Sequence, residues 1–280
     1  MDLAVGPGEI HALVGENGAG KSTLIKILAG VHQADAGEVR LLGERVDPYG
    51  ASLPLSFVHQ DLGLVDELSV GENVALVAGF PRQAGLIDWP RVWARAREIY
   101  LAMAVAPPDP RLPVGALSAA SKAVLGIVRA LARQARVVVL DEPTAALPEP
   151  DAAHLFDVLR RLRASGCSVI YVSHRLGELF GLADRVTVLR DGRRVRAAAM
   201  AEITPQQLVE DMLGRSLELH HAAHPVENHA RPLLAVAALE NAQAGPVSFQ
   251  IGAGEIVGLV GLRGAGHEAI GRMIFGALRP

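Results

Sequence analysis

The run IHALVGENGAGKSTLIKIL, residues 10–28, leaves a chain few ways to fold. Mostly apolar residues lead into glycines, and the glycines lead into a stretch where Leu24, Ile27 and Leu28 recur at helical spacing. The spacing predicts a strand, a tight loop and a helix that Gly30 ends. Within the run, GENGAGKST (15–23) fits the phosphate-loop pattern G-x-x-x-x-G-K-[S/T]. Glycines let successive backbone N–H groups converge on phosphate at the positive end of the following helix. Gly15, Glu16, Asn17, Gly18, Ala19 and Gly20 are therefore the candidate cradle. Lys21 would reach the outer phosphates, and Ser22, followed by Thr23, would place a hydroxyl on Mg²⁺. A strand that feeds such a loop belongs in an α/β fold with a largely parallel sheet.

The rest of the chain agrees with that class. VVVLDEP (137–143) and SVIYVSH (168–174) are continuous apolar runs, as expected of strands buried on both faces. Residues 151–165 place Leu155, Val158, Leu159 and Leu162 on one helical face and end at Gly166. Arg160, Arg161 and Arg163 read as the solvated face of that helix. RVTVLRDGRRV reads as a hairpin turning at Asp191-Gly192. Between Asp61 and Val128 the pattern is mostly helical, which suggests an insertion between the loop strand and VVVLDEP. Hydrophobic residues make up 50% of the chain, enough for a sizeable core, and a net charge of -3 gives no basic face for nucleic acid. The single cysteine, Cys167, excludes an internal disulfide and reads as a small residue at the start of a buried strand, in a reducing compartment. There is no run of 18 apolar residues, and MDLAVGPGEI lacks a signal-peptide pattern. Service to a membrane would then be peripheral, from the cytoplasmic face.

Two acids follow the second strand. Asp141, at its end, would hold Mg²⁺ through water, and Glu142 would orient or deprotonate an attacking water. Further on, GEIVGLVGLRGAGHEAIG (254–271) repeats the wording of GEIHALVGENGAGKSTLIK (8–26), with His267 in place of Lys21 and Glu268 in place of Ser22. His267 lacks a lysine's reach and permanent charge, and Glu268 would set a like charge against phosphate. Residues 216–231 have no periodicity and read as a linker; His220, His221, His224 and His229 have no carboxylate or cysteine framework and read as solvated.

Gln60 in SFVHQDL, VVVLDEPT, and His174 in YVSHRL follow the glycine loop in the order of an ATP-binding cassette. With GLIDW (85–89), they make the chain resemble the fused, two-cassette ATPase subunit of the simple-sugar importers. The resemblance implies an α/β P-loop NTPase with a parallel-sheet core, antiparallel N-terminal strands and a helical insertion. It implies a first cassette at 1–215 with the insertion at about 61–128, the linker at 216–231, and the start of a second, degenerate cassette at 232–280, the chain being cut at both ends. ATP and Mg²⁺ are the implied cofactors. Gln60 would sense the γ-phosphate and Mg²⁺, His174 would contact the γ-phosphate and the attacking water, and both would join Glu142 as the catalytic set. Ser22, Gln60 and Asp141 form the implied metal set. The implied partners are membrane permease subunits, a solute-binding protein and a second cassette, fused or in trans.

Three departures from the family pattern stand out. The signature Leu-Ser-x-Gly-Gln reads Leu117-Ser118-Ala119-Ala120-Ser121, Pro148 stands where an Asp or Thr is usual, and the upstream strand whose aromatic residue stacks on adenine does not precede MDLAVGPGE. Cassettes pair head to tail, so the degraded second loop would face the degraded signature in one site and leave the other site competent. A transport ATPase is the expected function, a non-catalytic nucleotide-binding remnant the alternative. A translation- or repair-type cassette would carry two competent loops or long charged coiled-coil inserts.

Overall fold

The first phosphate-loop strand, β1 (Ile10–Gly15), is buried along its whole length, because other strands flank it on both sides and helices cover both its faces. The computed structural model describes residues 2–49, 53–59, 61–145, 147–214, 232–261 and 265–279. The chain divides into two compact units, Met1–Glu218 and Leu219–Pro280.

In the first unit β1 is followed by α1 (Lys21–Leu28), β2 (Val39–Leu41), β3 (Glu44–Val46) and β4 (Leu55–Val58). The insertion comes next, with α2 (Val70–Ala78), β5 (Arg82–Gln83), β6 (Leu86–Ile87), α3 (Trp89–Ala102) and α4 (Ala119–Ala132). Then come β7 (Val137–Asp141), α5 (Glu149–Ala164), β8 (Ser168–Val172) and α6 (Leu176–Leu179). The unit closes with β9 (Arg185–Arg190), β10 (Arg193–Ala199) and α7 (Pro205–Leu213). The main sheet has six strands in the order β10-β9-β1-β8-β7-β4. All neighbours are parallel except the edge pair β9–β10, a hairpin whose turn residues Asp191 and Gly192 both have positive φ, at 51° and 71°. The antiparallel strands expected near the N-terminus are β2 and β3.

Alternate residues of each central strand supply opposite faces of the core, the period-two rule of strands. Ile10, Ala12 and Val14 of β1, Val138 and Leu140 of β7, and Val169 and Tyr171 of β8 pack with the helical side, where α4 and α5 contribute Leu125, Ile127, Leu155 and Leu159. Leu13, Val139, Ile170 and Val172 face the other way, against Ile25 of α1. The insertion holds its own helices by local chemistry. Ser69 and Glu72 form a reciprocal capping box at α2. The Asp88 carboxylate of GLIDW accepts from the Arg91 N–H at the start of α3, which has Pro90 in its first turn. Cys167 is buried and free just before β8.

Arg160 and Arg161 of α5 are exposed and Arg163 half-exposed, the solvated face that the sequence predicts, and all three also make polar contacts. Arg160 bonds Asp157 and the Gly181 carbonyl, Arg161 donates to the Ala104 carbonyl, and Arg163 pairs with Asp184 at 2.6 Å. These long side chains bridge to neighbouring segments, which a helical wheel cannot display.

In the second unit β11 (Leu234–Asn241) and β12 (Ala244–Ile251) form an antiparallel pair, and α8 (His267–Ile274) follows. The repeated wording does not rebuild β1. Glu255–Gly261 belongs to no strand, and Ile256 and Val260 are each 96% exposed. A strand needs a neighbour, and the described residues of this unit offer that segment none. The linker 216–231 with its four histidines, and residues 262–264 of the second loop, lie outside the described residues.

Candidate active site

A parallel sheet brings the carboxyl ends of its strands to one edge, where α/β proteins place their ligands. Leu13 of β1 and Asp141 of β7 are both in register with Val172 of β8. The glycine loop, the Asp141-Glu142 pair and His174 therefore leave the sheet side by side. β4 pairs with β7 so that Val58 is in register with Leu140, which sets His59 beside Asp141. Gln60 lies outside the described residues.

The loop's shape follows from close backbone contacts. A side chain at Gly15 would collide with the Leu189 carbonyl of β9. Gly20, at φ 97°, caps α1, which has no side-chain cap and no acidic residue in its first turn. The positive end of that helix is thus left for an outside anion. Glu16, Asn17, Gly18, Ser22 and Thr23 are exposed, while Ala19 is buried. The hairpin turn takes part as well. Gly192 N–H donates to the Ala19 carbonyl at 3.1 Å. In a trans peptide the carbonyl and the next N–H point opposite ways. Holding the Ala19 carbonyl toward β9–β10 therefore turns the Gly20 N–H to the other side, toward the loop's interior. Lys21 Nζ donates to the Gly15 and Glu16 carbonyls at 2.7 and 3.0 Å, folding its ammonium over the loop.

Charge is concentrated here against the pull of solvation. Burial pushes the Lys21 ammonium below the usual lysine range, opposed by the Glu142 and Asp141 carboxylates. Burial raises the Asp141 carboxyl, Glu142 adds to the rise, and His59 and Lys21 pull it back. Glu142 adopts φ 50°, the left-handed region that a non-glycine residue enters at a cost. His174 Nδ1 lies 2.9 Å from Glu142 Oε1, with side chains 61% and 30% exposed respectively. These groups suit a polyphosphate carrying a hard cation: one ammonium and an open helix terminus for the phosphates, one carboxylate and one hydroxyl for Mg²⁺. Among the described residues no group of three His, Cys, Asp or Glu side chains forms a cation cage.

Ser118 caps α4, its Oγ accepting from the Ser121 N–H at 3.2 Å. Ala120, in the first turn of α4, is buried at 6% exposure. In the second unit Gly266, at φ 82°, stands before α8, whose first residues are His267 and Glu268. His59, Gly192 and the Glu178 of α6 are site neighbours that sequence reasoning missed.

Comparison with known proteins agrees with this geometry. A family model described as ABC transporter matches residues 1–145. The chain is 42% identical over 289 residues to the ribose import ATP-binding protein RbsA 2 of Rubrobacter xylanophilus, covering 100% of this chain and 55% of that protein. It is 40% identical over 284 residues to the ribose import ATP-binding protein RbsA of Chromobacterium violaceum, covering 100% and 56%. The chain thus spans about half the length of the curated relatives it matches. Among solved structures, an ADP-bound ATP-binding cassette of an ABC transporter, MJ1267, superposes with a TM-score of 0.63 at 22% identity, over 76% of this chain and 91% of that one. A nucleotide-free cassette from an ABC transporter gives 0.61 at 22% identity, over 76% and 87%. With half of its length matched by the family model and an ATP-binding-cassette fold around the site, the chain belongs to the ABC transporter family.

Proposed function

We propose that the first unit binds and hydrolyses ATP with Mg²⁺, as the engine of an importer for a sugar or related small solute. The observation that carries the reading is the convergence of Lys21, Asp141 and the Glu142–His174 pair on the uncapped terminus of α1. Lys21 and the backbone N–H groups of residues 15–23 hold the phosphates. Ser22, Asp141 and Gln60 would hold Mg²⁺, which would supply neutralisation of charge on the outer phosphates. Glu142 accepts the proton of the attacking water, and His174, bonded to Glu142, keeps that carboxylate aimed. The names of the relatives support import as the task and a sugar as cargo.

Permease subunits, a solute-binding protein and a second cassette, fused or in trans, complete the proposed assembly. The chain acts peripherally at the cytoplasmic face; among the described residues no helix is long and apolar enough to cross a membrane. The proposed division is a first cassette at 1–215, a linker at 216–231 and the start of a degenerate cassette at 232–280. The second loop keeps a dimer-half role, since His267 and Glu268 replace the phosphate-holding groups.

The test is MgATP binding and turnover in the parent chain and two variants. Lys21→Ala is expected to cost about 2–4 kcal/mol of binding. Glu142→Gln is expected to bind ATP and to hydrolyse it about 10²-fold more slowly. Supplying an intact second cassette of an importer in trans is expected to raise turnover about tenfold. Unchanged binding in Lys21→Ala would overturn the site, and binding without turnover in every case would favour a non-catalytic remnant.

A further inference from the structure

Next to the loops that carry Glu142 and His174 lies a half-buried acid, Glu178, that the mechanism leaves unused. Glu178 Oε2 accepts from the Thr144 hydroxyl at 2.8 Å and from the Tyr171 hydroxyl at 3.1 Å. Its other oxygen accepts from Arg175 at 3.3 Å, and Arg175 also donates to the Ala145 carbonyl at 3.1 Å. Thr144 and Ala145 sit just after Glu142, and Arg175 directly follows His174. One carboxylate therefore ties together the two loops that carry the reacting pair. Thr144 is 1% exposed and Tyr171 0%, so neither hydroxyl proton has water as a substitute partner. The two hydroxyls are 3.2 Å apart, but between themselves they satisfy only one donor.

The loop after β7 needs such a hold. Glu142 is left-handed at φ 50°, a conformation that persists only where the surroundings over-determine it. Its N–H is fixed on the Val172 carbonyl at 2.9 Å, and its carbonyl accepts from the Ala145 N–H at 3.1 Å. By contrast, the direct tie between the loops runs through His174, whose side chain is 61% exposed and competes with water. An exposed hydrogen bond of that kind contributes little to holding its own geometry.

We propose that Glu178 is a positioning residue, a strut that fixes the spacing of Glu142 and His174 without touching nucleotide. The proposal rests on the reading of the site as an ATPase. Its test uses the full chain and two readouts. One is turnover. The other is the imidazole resonance of His174, assigned with a His174→Gln variant, whose shift on introducing Glu142→Gln reports the pair with no need of hydrolysis.

Glu178→Ala is expected to lower kcat by about tenfold or more and to change the KM for MgATP less than about twofold. In that background Glu142→Gln should no longer move the His174 resonance. Glu178→Gln keeps an acceptor for the hydroxyls and should recover part of both signals. Thr144→Val combined with Glu178→Gln should cost less than the sum of the two, as for groups in one network. A Glu178→Ala chain that keeps the parent kcat and the parent resonance response overturns the proposal. Should Glu178→Ala fail to fold, Thr144→Val and Tyr171→Phe each remove one hydroxyl and carry the same readouts. A parent chain without ATPase activity overturns the ATPase reading alone, and the resonance response then decides the role of Glu178.

Discussion

Asp141 shows how the site is held ready at the expense of the fold. Burial and the neighbouring Glu142 raise its carboxyl above the ordinary 3.8. The stability tied to that proton is present in full below pH 3.8 and is lost as pH rises through the folded value. At neutral pH the ionised side chain therefore weighs against folding until a cation arrives. Asp141→Asn is expected to raise the Tm of the nucleotide-free chain, measured by thermal melting, while weakening MgATP binding by about tenfold or more. A variant that melts below the parent and binds MgATP normally would remove Asp141 from the metal set. Lys21 carries the same tension with the opposite charge. Both were candidates from the sequence, because each lies in a short motif of its own that supplies type and spacing. His59 was not, since its neighbour Asp141 is supplied by strand register across the whole insertion.

Strands and helices with a local signature were read correctly: β1, β7 and β8 from unbroken apolar runs, α5 from its apolar stripe, the β9–β10 turn from Asp-Gly. What escaped was contact between elements far apart in the chain. The turn at Gly192 was visible as a turn, but its hydrogen bond to Ala19 was not. The burial of Ala120 was equally hidden, because a first-turn alanine has no preference for either face. One such long-range tie has a pH signature. His11 in β1 is 1% exposed, with Nδ1 2.6 Å from Glu9 and Nε2 2.8 Å from the Thr187 hydroxyl of β9. One proton on the ring satisfies both partners, and a second would displace the Thr187 donor. Burial lowers the His11 pKa below 6.5, with Glu9 opposing the fall and Arg185 reinforcing it. The unfolded chain then takes up the proton first, so stability is complete above pH 6.5 and declines as pH falls from 6.5 toward the folded value. Melting curves between pH 8 and pH 5 are expected to show that decline, and His11→Gln to flatten it; identical profiles would place the decline elsewhere.

The molecule as a whole is two unequal parts. One is a sheet covered on both faces and carrying the candidate site; the other has a hairpin and a helix, with His267 and Glu268 where the first repeat has Lys21 and Ser22. Family membership rests on the first part, and the relatives run to about twice this length. The exposed run at Ile256–Val260 is expected to set how such a chain behaves in solution. Apolar side chains at 96% exposure, on backbone with no strand partner among the described residues, offer a template onto which another copy can add. Solutions of the chain should turn turbid with time and concentration, with scattering that grows faster on warming as hydrophobic association strengthens. A lysine in place of Val260 should clear them and leave MgATP binding as it was. The colloidal lifetime of the preparation is thus expected to follow five residues that lie outside the proposed nucleotide-holding set.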